Sequence, residues 1–140
     1  MYIDIERFRC ITDSDRGIKL SWIGNKKDAL YKEHGYHTGI DIYAGNVYSY
    51  ASGVVTSISM DKNYYAVTVQ YNAFVSLRYL HLESVSVSAG QPIQQGFKIG
   101  NADKYVHFEY VTKKQGDSLW AVRIGTETYY KHNPMNMIGG

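Results

Sequence analysis

The stretch Tyr36–Gly45, YHTGIDIYAG, sets a histidine and a carboxylate four positions apart inside a run that otherwise reads as an apolar strand. Side chains of an extended chain alternate between faces, so His37, Gly39 and Asp41 are expected on one side and Thr38, Ile40 and Ile42 on the other. One face suits a core and the other suits chemistry. His-x-x-x-Asp is nevertheless a loose pattern: Asp41 bonding a loop backbone, with His37 a half-exposed imidazole, fits this stretch as well.

On either side of it lie more strand-like runs. The chain carries 14 tyrosines, and with Val, Ile, Thr and Ser they dominate short segments punctuated by Gly, Asn and Asp, the signature of an all-β chain. The expected strands are GIDIYA, NVYSYA, GVVTSISM, YYAVTVQY, FVSLRYLHL, YVHFEYVT and LWAVRIG. Turn chemistry separates them at Gly45-Asn46, Asp61-Lys62-Asn63 and Tyr71-Asn72-Ala73, closely enough for successive antiparallel strands. The segment SVSAGQPIQQGFKIGNA, with three glycines and a proline, reads as tight bends leading into the strand that holds His107. Helical periodicity of any length is missing after residue 35, and one short helix over Lys26–His34 is expected. The fold class that follows is a mostly antiparallel all-β sheet or sandwich with at most one short helix.

A chain of 140 residues with 44% hydrophobic side chains fits one domain with a sizeable core. A formal charge of +2, spread over mixed signs, leaves no footprint for nucleic acid; only NKKDALYKEH is dense enough in charge to form a solvated face. Cys10 is the single cysteine, so an internal disulfide and a thiolate cluster are excluded, and any metal must be held by imidazole and carboxylate. The opening MYIDIERFRC lacks a basic start and an apolar core segment, so it does not read as a secretory signal. No stretch approaches the roughly 20 apolar residues that span a bilayer. If such a protein acts outside the cell, something other than its own signal is expected to deliver it.

Of five histidines, His34, His37, His81, His107 and His132, three lie inside strand-like runs. In RYLHLES, alternation puts Tyr79 and His81 on one face and Leu80 and Leu82 on the other; in KYVHFEY it puts Tyr105, His107 and Glu109 on one face and Val106 and Phe108 on the other. Each apolar face is complete without its histidine. Burying several imidazoles without partners is costly, so converging faces would be explained economically by a shared ligand. A zinc site with three protein ligands and an open fourth position needs such a set: neutral imidazoles and a carboxylate, from His37, Asp41 and one further histidine. Taken singly, His81 or His107 also fits an exposed or hydrogen-bonded side chain.

The order GYHTGIDI, ASGVVTSI, AVTVQY, RYLHLESVSVSAGQPIQQGFKIG and YVHFEY, over about residues 35–112, resembles the lysostaphin-like zinc metalloendopeptidases that cut peptide bonds in bacterial peptidoglycan. KHNPMNMI is similar to that family's usual domain end. The resemblance implies a single peptidase domain over 1–140 and one Zn2+ per chain, with the His-x-x-x-Asp pair, His37 and Asp41, and the last histidine of the His-x-His strand, His107, as ligands. It also implies a catalytic role for His81, the histidine of the Tyr-x-His-Leu strand. One position departs from the pattern: Tyr105 stands where the family has the first histidine of His-x-His. A phenol can donate to an oxyanion, but with an ordinary pKa near 10 it is a poor general base at neutral pH.

Two functions from different classes are therefore expected. In the first, a zinc endopeptidase acts on peptidoglycan stems or cross-bridges, and family habit implies a phage-encoded protein carried on a virion or released at lysis, with His81 handling the proton, Tyr105 donating to the oxyanion and Glu109 either orienting a ligand imidazole or simply solvated. In the second, a catalytically silent module of the same fold binds cell wall or serves a virion or other assembly. A β-sandwich binding module unrelated to zinc is a third reading.

Overall fold

Ten strands, a 3-10 helix over Ile5–Ile11 and a closing 3-10 turn over Pro134–Asn136 make up residues 5–22 and 37–137, the part of the chain that the computed structural model describes. The strands are β1 (Ile18–Leu20), β2 (Ile40–Tyr43), β3 (Asn46–Tyr48), β4 (Gly53–Asp61), β5 (Tyr64–Gln70), β6 (Val75–Val85), β7 (Pro92–Ile93), β8 (Lys98–Thr112), β9 (Ala121–Ile124) and β10 (Glu127–His132). They pair antiparallel in the order β1-β2-β8-β6-β5-β4-β7, with β3 and β10 also on β8 and β9 on β10. The all-β, mostly antiparallel expectation holds. The position of the expected helix over Lys26–His34 lies outside the described residues.

The 15-residue β8 organises the sheet. One of its edges carries β6 along nearly its whole length, and the other is shared in turn by β3, β2 and β10. Alternation explains its inner face: Val106 and Phe108 are fully buried and pack with Ile40 and Ile42 of β2, Tyr79 of β6 and Phe8 of the first 3-10 helix. The Tyr79 ring is entirely enclosed, and its hydroxyl oxygen accepts the Tyr50 backbone N–H at 2.8 Å, so the one polar atom it buries is satisfied. Burying a ring of this size contributes about 1.5–3 kcal/mol.

The hairpin turns follow the local chemistry. Lys62, at φ +59°, begins the two-residue turn between Asp61 and Tyr64, and the Asn72 side chain accepts the N–H groups of Phe74 and Val75, each at 2.9 Å, to close β5 onto β6.

Four differences from the sequence expectation have physical causes. β8 begins at Lys98, where bends were expected, because pairing by β3 and β6 on both sides holds a Gly- and Asn-containing segment extended; Gly100 fits there because a side chain would run into the Ser84 carbonyl. β10 was not among the expected strands: ETYYKH is charged at both ends, and its partners, Thr112–Tyr110 and β9, supply what local propensity does not. β1 and β7, of three and two residues, are too short for any periodicity to register. NVYSYA is strand only to Tyr48, since beyond it the Ser49 hydroxyl and the Tyr50 N–H turn to bonds with the Ala51 carbonyl and the Tyr79 hydroxyl.

Candidate metal centre

β2 and β8 pair with Asp41 opposite His107, flanked by Ile40 opposite Phe108 and Ile42 opposite Val106. The register puts the apolar pairs into the core and leaves the carboxylate and imidazole together on the other face. His37 joins them from just before β2. The Oδ1 atom of Asp41 is 2.8 Å from Nδ1 of His107 and 3.1 Å from Nε2 of His37, and the two imidazoles stand edge to face with centroids 4.9 Å apart. One donor atom from each residue falls within 4.8 Å of the other two. Gly39 makes room for this: a Cβ there would come 2.7 Å from Nε2 of His107 and 2.6 Å from the Phe108 carbonyl oxygen.

A second tier of polar groups orients the first. Nδ1 of His37 lies 2.7 Å from the Ser21 carbonyl oxygen, which can only accept, so Nδ1 carries the proton and Nε2 of the neutral ring presents a lone pair. That Nε2 is buried, has no hydrogen-bond partner, and faces the Asp41 carboxylate. A lone pair held against an anion out of water calls for a cation or a proton between them. On the other side of the group, Nε2 of His107 meets Oε2 of Glu109 at 3.0 Å. Glu109 is only 2% exposed and is no solvated carboxylate: Arg78 donates to its Oε1 at 2.6 Å, and Lys131 donates to its Oε2 at 3.0 Å. Thr38 bridges the same oxygen and the Lys131 ammonium.

Charge state follows from these contacts. Burial pushes the Asp41 carboxyl up, but the His107 and His37 imidazoles outweigh it and hold the group at about 2. Burial works against a charged His107, yet its bonds to Asp41 and Glu109 prevail and lift the ring to about 9. Glu109 is held well below the ordinary carboxylate range: burial opposes ionisation, and His107, Lys131 and Arg78 overcome it. Without a metal the proton on Nδ1 of His107 therefore occupies the place a cation would take. Two imidazole nitrogens, one of them the buried orphan Nε2 of His37, and one carboxylate oxygen fit a borderline cation such as zinc.

His81 and Tyr105 lie beside this group and against each other. Their rings stack in parallel, 4.1 Å between centroids with planes 10° apart, and Tyr64 covers the opposite face of His81 at 3.8 Å. Burial, then the negative charge of nearby Asp41, raises the Tyr105 phenol above its ordinary value. His81 sits at a bulge with φ +67°, where the pairing of β6 with β8 breaks between Leu80 and Leu82. This overturns the expected faces of RYLHLES: Tyr79 and Leu82 both point into the core, fully buried, while Leu80 and His81 are only partly covered. The extra residue of the bulge shifts the alternation by one, so strict period-two reading fails beyond Leu80.

With this geometry in view, the sequence profile of Peptidase family M23 matches residues 35–121, more than half of the chain. The chain belongs to peptidase family M23. It is a lysostaphin-like domain, as its sequence resemblance implied. Among solved structures it is similar to a zinc containing peptidase from Vibrio cholerae, with 26% identity and a TM-score of 0.61 over 73% of this chain and 35% of that one. It thus spans about a third of that peptidase's length. A chain of the SpoIIIAH and SpoIIQ complex is 22% identical with a TM-score of 0.65, covering 90% of this chain and 95% of that chain. The mutant catalytic domain of the prophage-encoded M23 protein EnpA from Enterococcus faecalis is 16% identical with a TM-score of 0.63, covering 94% and 99%. The last two speak for the fold alone. No curated protein matches the sequence significantly.

Of the residues singled out in the M23 sequence, His37, Asp41 and His107 come together in one group and His81 and Tyr105 in a neighbouring stack. His34 lies outside the described residues. His132 is placed elsewhere, its Nε2 within 3.1 Å of the Thr112 hydroxyl and 2.9 Å of the Lys114 carbonyl oxygen. Sequence reasoning missed Arg78, Lys131 and Tyr64. Arg78 could have been found only from register, since it is the cross-strand partner of Glu109. For Lys131 and Tyr64 the sequence holds no comparable signal.

Proposed function

We propose that this M23 domain is a zinc-dependent endopeptidase that cleaves peptide bonds in bacterial peptidoglycan, with the metal held by His37 Nε2, Asp41 Oδ1 and His107 Nδ1. The observation that carries the proposal is the buried, partnerless Nε2 of His37, facing a carboxylate that also contacts His107, in a chain of a peptidase family. When bound, zinc supplies a Lewis acid for the scissile carbonyl and an activated water at neutral pH. The protein's own groups do the rest. Glu109 holds Nε2 of His107 so that Nδ1 faces the metal. His81 takes the proton of the attacking water and returns it to the leaving amine, and the Tyr105 hydroxyl donates to the developing oxyanion. A phage-encoded protein delivered on a particle or at lysis completes this reading.

A second reading is favoured by one specific feature. Tyr105 replaces a usual catalytic histidine of the family, which suits a zinc-bearing but silent module in an assembly. Metal analysis of protein purified without chelator, followed by chromatography of peptides released from defined wall preparations, separates the readings. About one zinc per chain with peptide release is expected. Zinc without release from any wall type would establish the silent module, and absence of zinc would remove both.

A further inference from the structure

Neither of the other two imidazoles near the metal group is held as His81 is. Its backbone lies in the left-handed region at φ +67°, in the bulge where β6 departs from β8, a conformation that costs a residue with a side chain free energy and persists only where the surroundings enforce it. The surroundings here are aromatic. Tyr64, the first residue of β5, lies on one face of the imidazole with centroids 3.8 Å apart and planes 21° apart; Tyr105 of β8 lies on the other at 4.1 Å and 10°. The Lys19 ammonium closes the stack, 4.9 Å from the centroid of the Tyr105 ring. With both faces covered, the imidazole cannot swing without displacing a phenol, and only its edge remains accessible. On that edge Nδ1 is 3.3 Å from the Tyr105 carbonyl oxygen. A carbonyl accepts only, so the neutral ring carries its proton on Nδ1 and its lone pair on Nε2.

We propose that Tyr64 is a positioning residue: together with Tyr105 it clamps His81 between two phenol rings, and the clamp with the Tyr105 carbonyl presents Nε2 as the proton-accepting edge. This rests on the proposed role of His81 in proton transfer, and it gives Tyr105 a function, through its ring and its backbone, that does not depend on its hydroxyl. Lone pair and orientation are what a general base must have fixed before substrate arrives.

The test has a spectroscopic arm and a kinetic arm. In the wild-type protein the ring-proton NMR resonances of His81, assigned by their loss in His81→Gln, should lie upfield of free histidine because two aromatic faces shield them. Tyr64→Ala should move them toward the free position and lower kcat on a cleavable wall peptide by about 10- to 100-fold, with KM and zinc content unchanged. Tyr64→Phe should restore both the shift and the turnover, since the ring and not the hydroxyl does the clamping. Unshifted resonances in the wild type overturn the clamp even if Tyr64→Ala does not fold, and so does a Tyr64→Phe variant as impaired as Tyr64→Ala. Shifted resonances in a protein that cleaves no wall preparation would sink the endopeptidase reading and leave the clamp standing; cleavage with unshifted resonances would do the reverse.

Discussion

The β2–β8 ladder and the β5–β6–β8 junction treat their histidines in opposite ways. Along β2 and β8 the pairing is regular from Ile40 to Tyr43, so every second residue belongs to the core and every other one to the polar group: Asp41 and His107 are neighbours because Ile40, Ile42, Val106 and Phe108 are. At His81 the ladder is broken, and the histidine is set by a bulge, a positive φ and two stacked rings from other strands. A regular ladder writes its site into the sequence as alternation, whereas a bulge erases that record. Under the proposed function the first region holds a cation and the second holds a ring in place. Variants in the two regions should accordingly separate metal binding from turnover.

The largest expected effect is in the ladder. His37→Ala, Asp41→Ala and His107→Ala should each abolish zinc binding, because a three-ligand cage does not survive the loss of one ligand, while Cys10→Ser leaves the metal in place. Elemental analysis of each purified variant checks this, and retention of stoichiometric zinc by His107→Ala would erase the contrast between the regions. At the bulge, His81→Ala should keep zinc and fold yet reduce turnover by about 10²–10⁴-fold. Zinc loss in that variant would make His81 a ligand and merge the two regions into one.

Tyr105 lies between them. If its hydroxyl stabilises the oxyanion, Tyr105→Phe should retain metal and lower turnover by about 10²–10³-fold; an unaffected Tyr105→Phe would leave the ring and backbone as its whole contribution. Tyr105→His, which restores the family residue, should be active with a pH profile moved toward imidazole titration. A smaller effect is expected behind the ladder, where Glu109→Gln should weaken zinc affinity by about 10–100-fold in chelator competition, through loss of the charged acceptor that fixes His107.

The smallest effect concerns pH and the metal-free protein. Asp41 is held at about 2 against an ordinary 3.8, so its contribution to stability is present above pH 3.8 and lost as the pH falls through about 2. His107 is held at about 9 against 6.5, so its contribution is fully present below pH 6.5 and lost as the pH rises through about 9. Urea midpoints of metal-free protein should therefore fall between pH 6.5 and 9. Those of the zinc-loaded protein should hold, because the cation replaces the proton on Nδ1. Parallel curves for the two forms would show that zinc does not sit on His107.

By itself the sequence determined the all-β class, most strand positions and the polar faces that carry His37, Asp41 and His107, because period-two alternation with complete apolar partners such as Ile40 and Phe108 ties each polar face to the core; that His107 is the histidine joining His37 and Asp41 came only from the family resemblance. It also carried the order of motifs that places the chain in family M23. What only the tertiary structure decided depends on contacts between residues far apart in the chain. The extended start of β8 is enforced by strands on both sides, the fate of Glu109 depends on Arg78 and Lys131 arriving from β6 and β10, and the Tyr64–His81–Tyr105 stack joins three strands at a bulge. A one-residue bulge leaves no mark in composition or periodicity, since the local backbone cost at His81 is met by partners that sequence spacing cannot name.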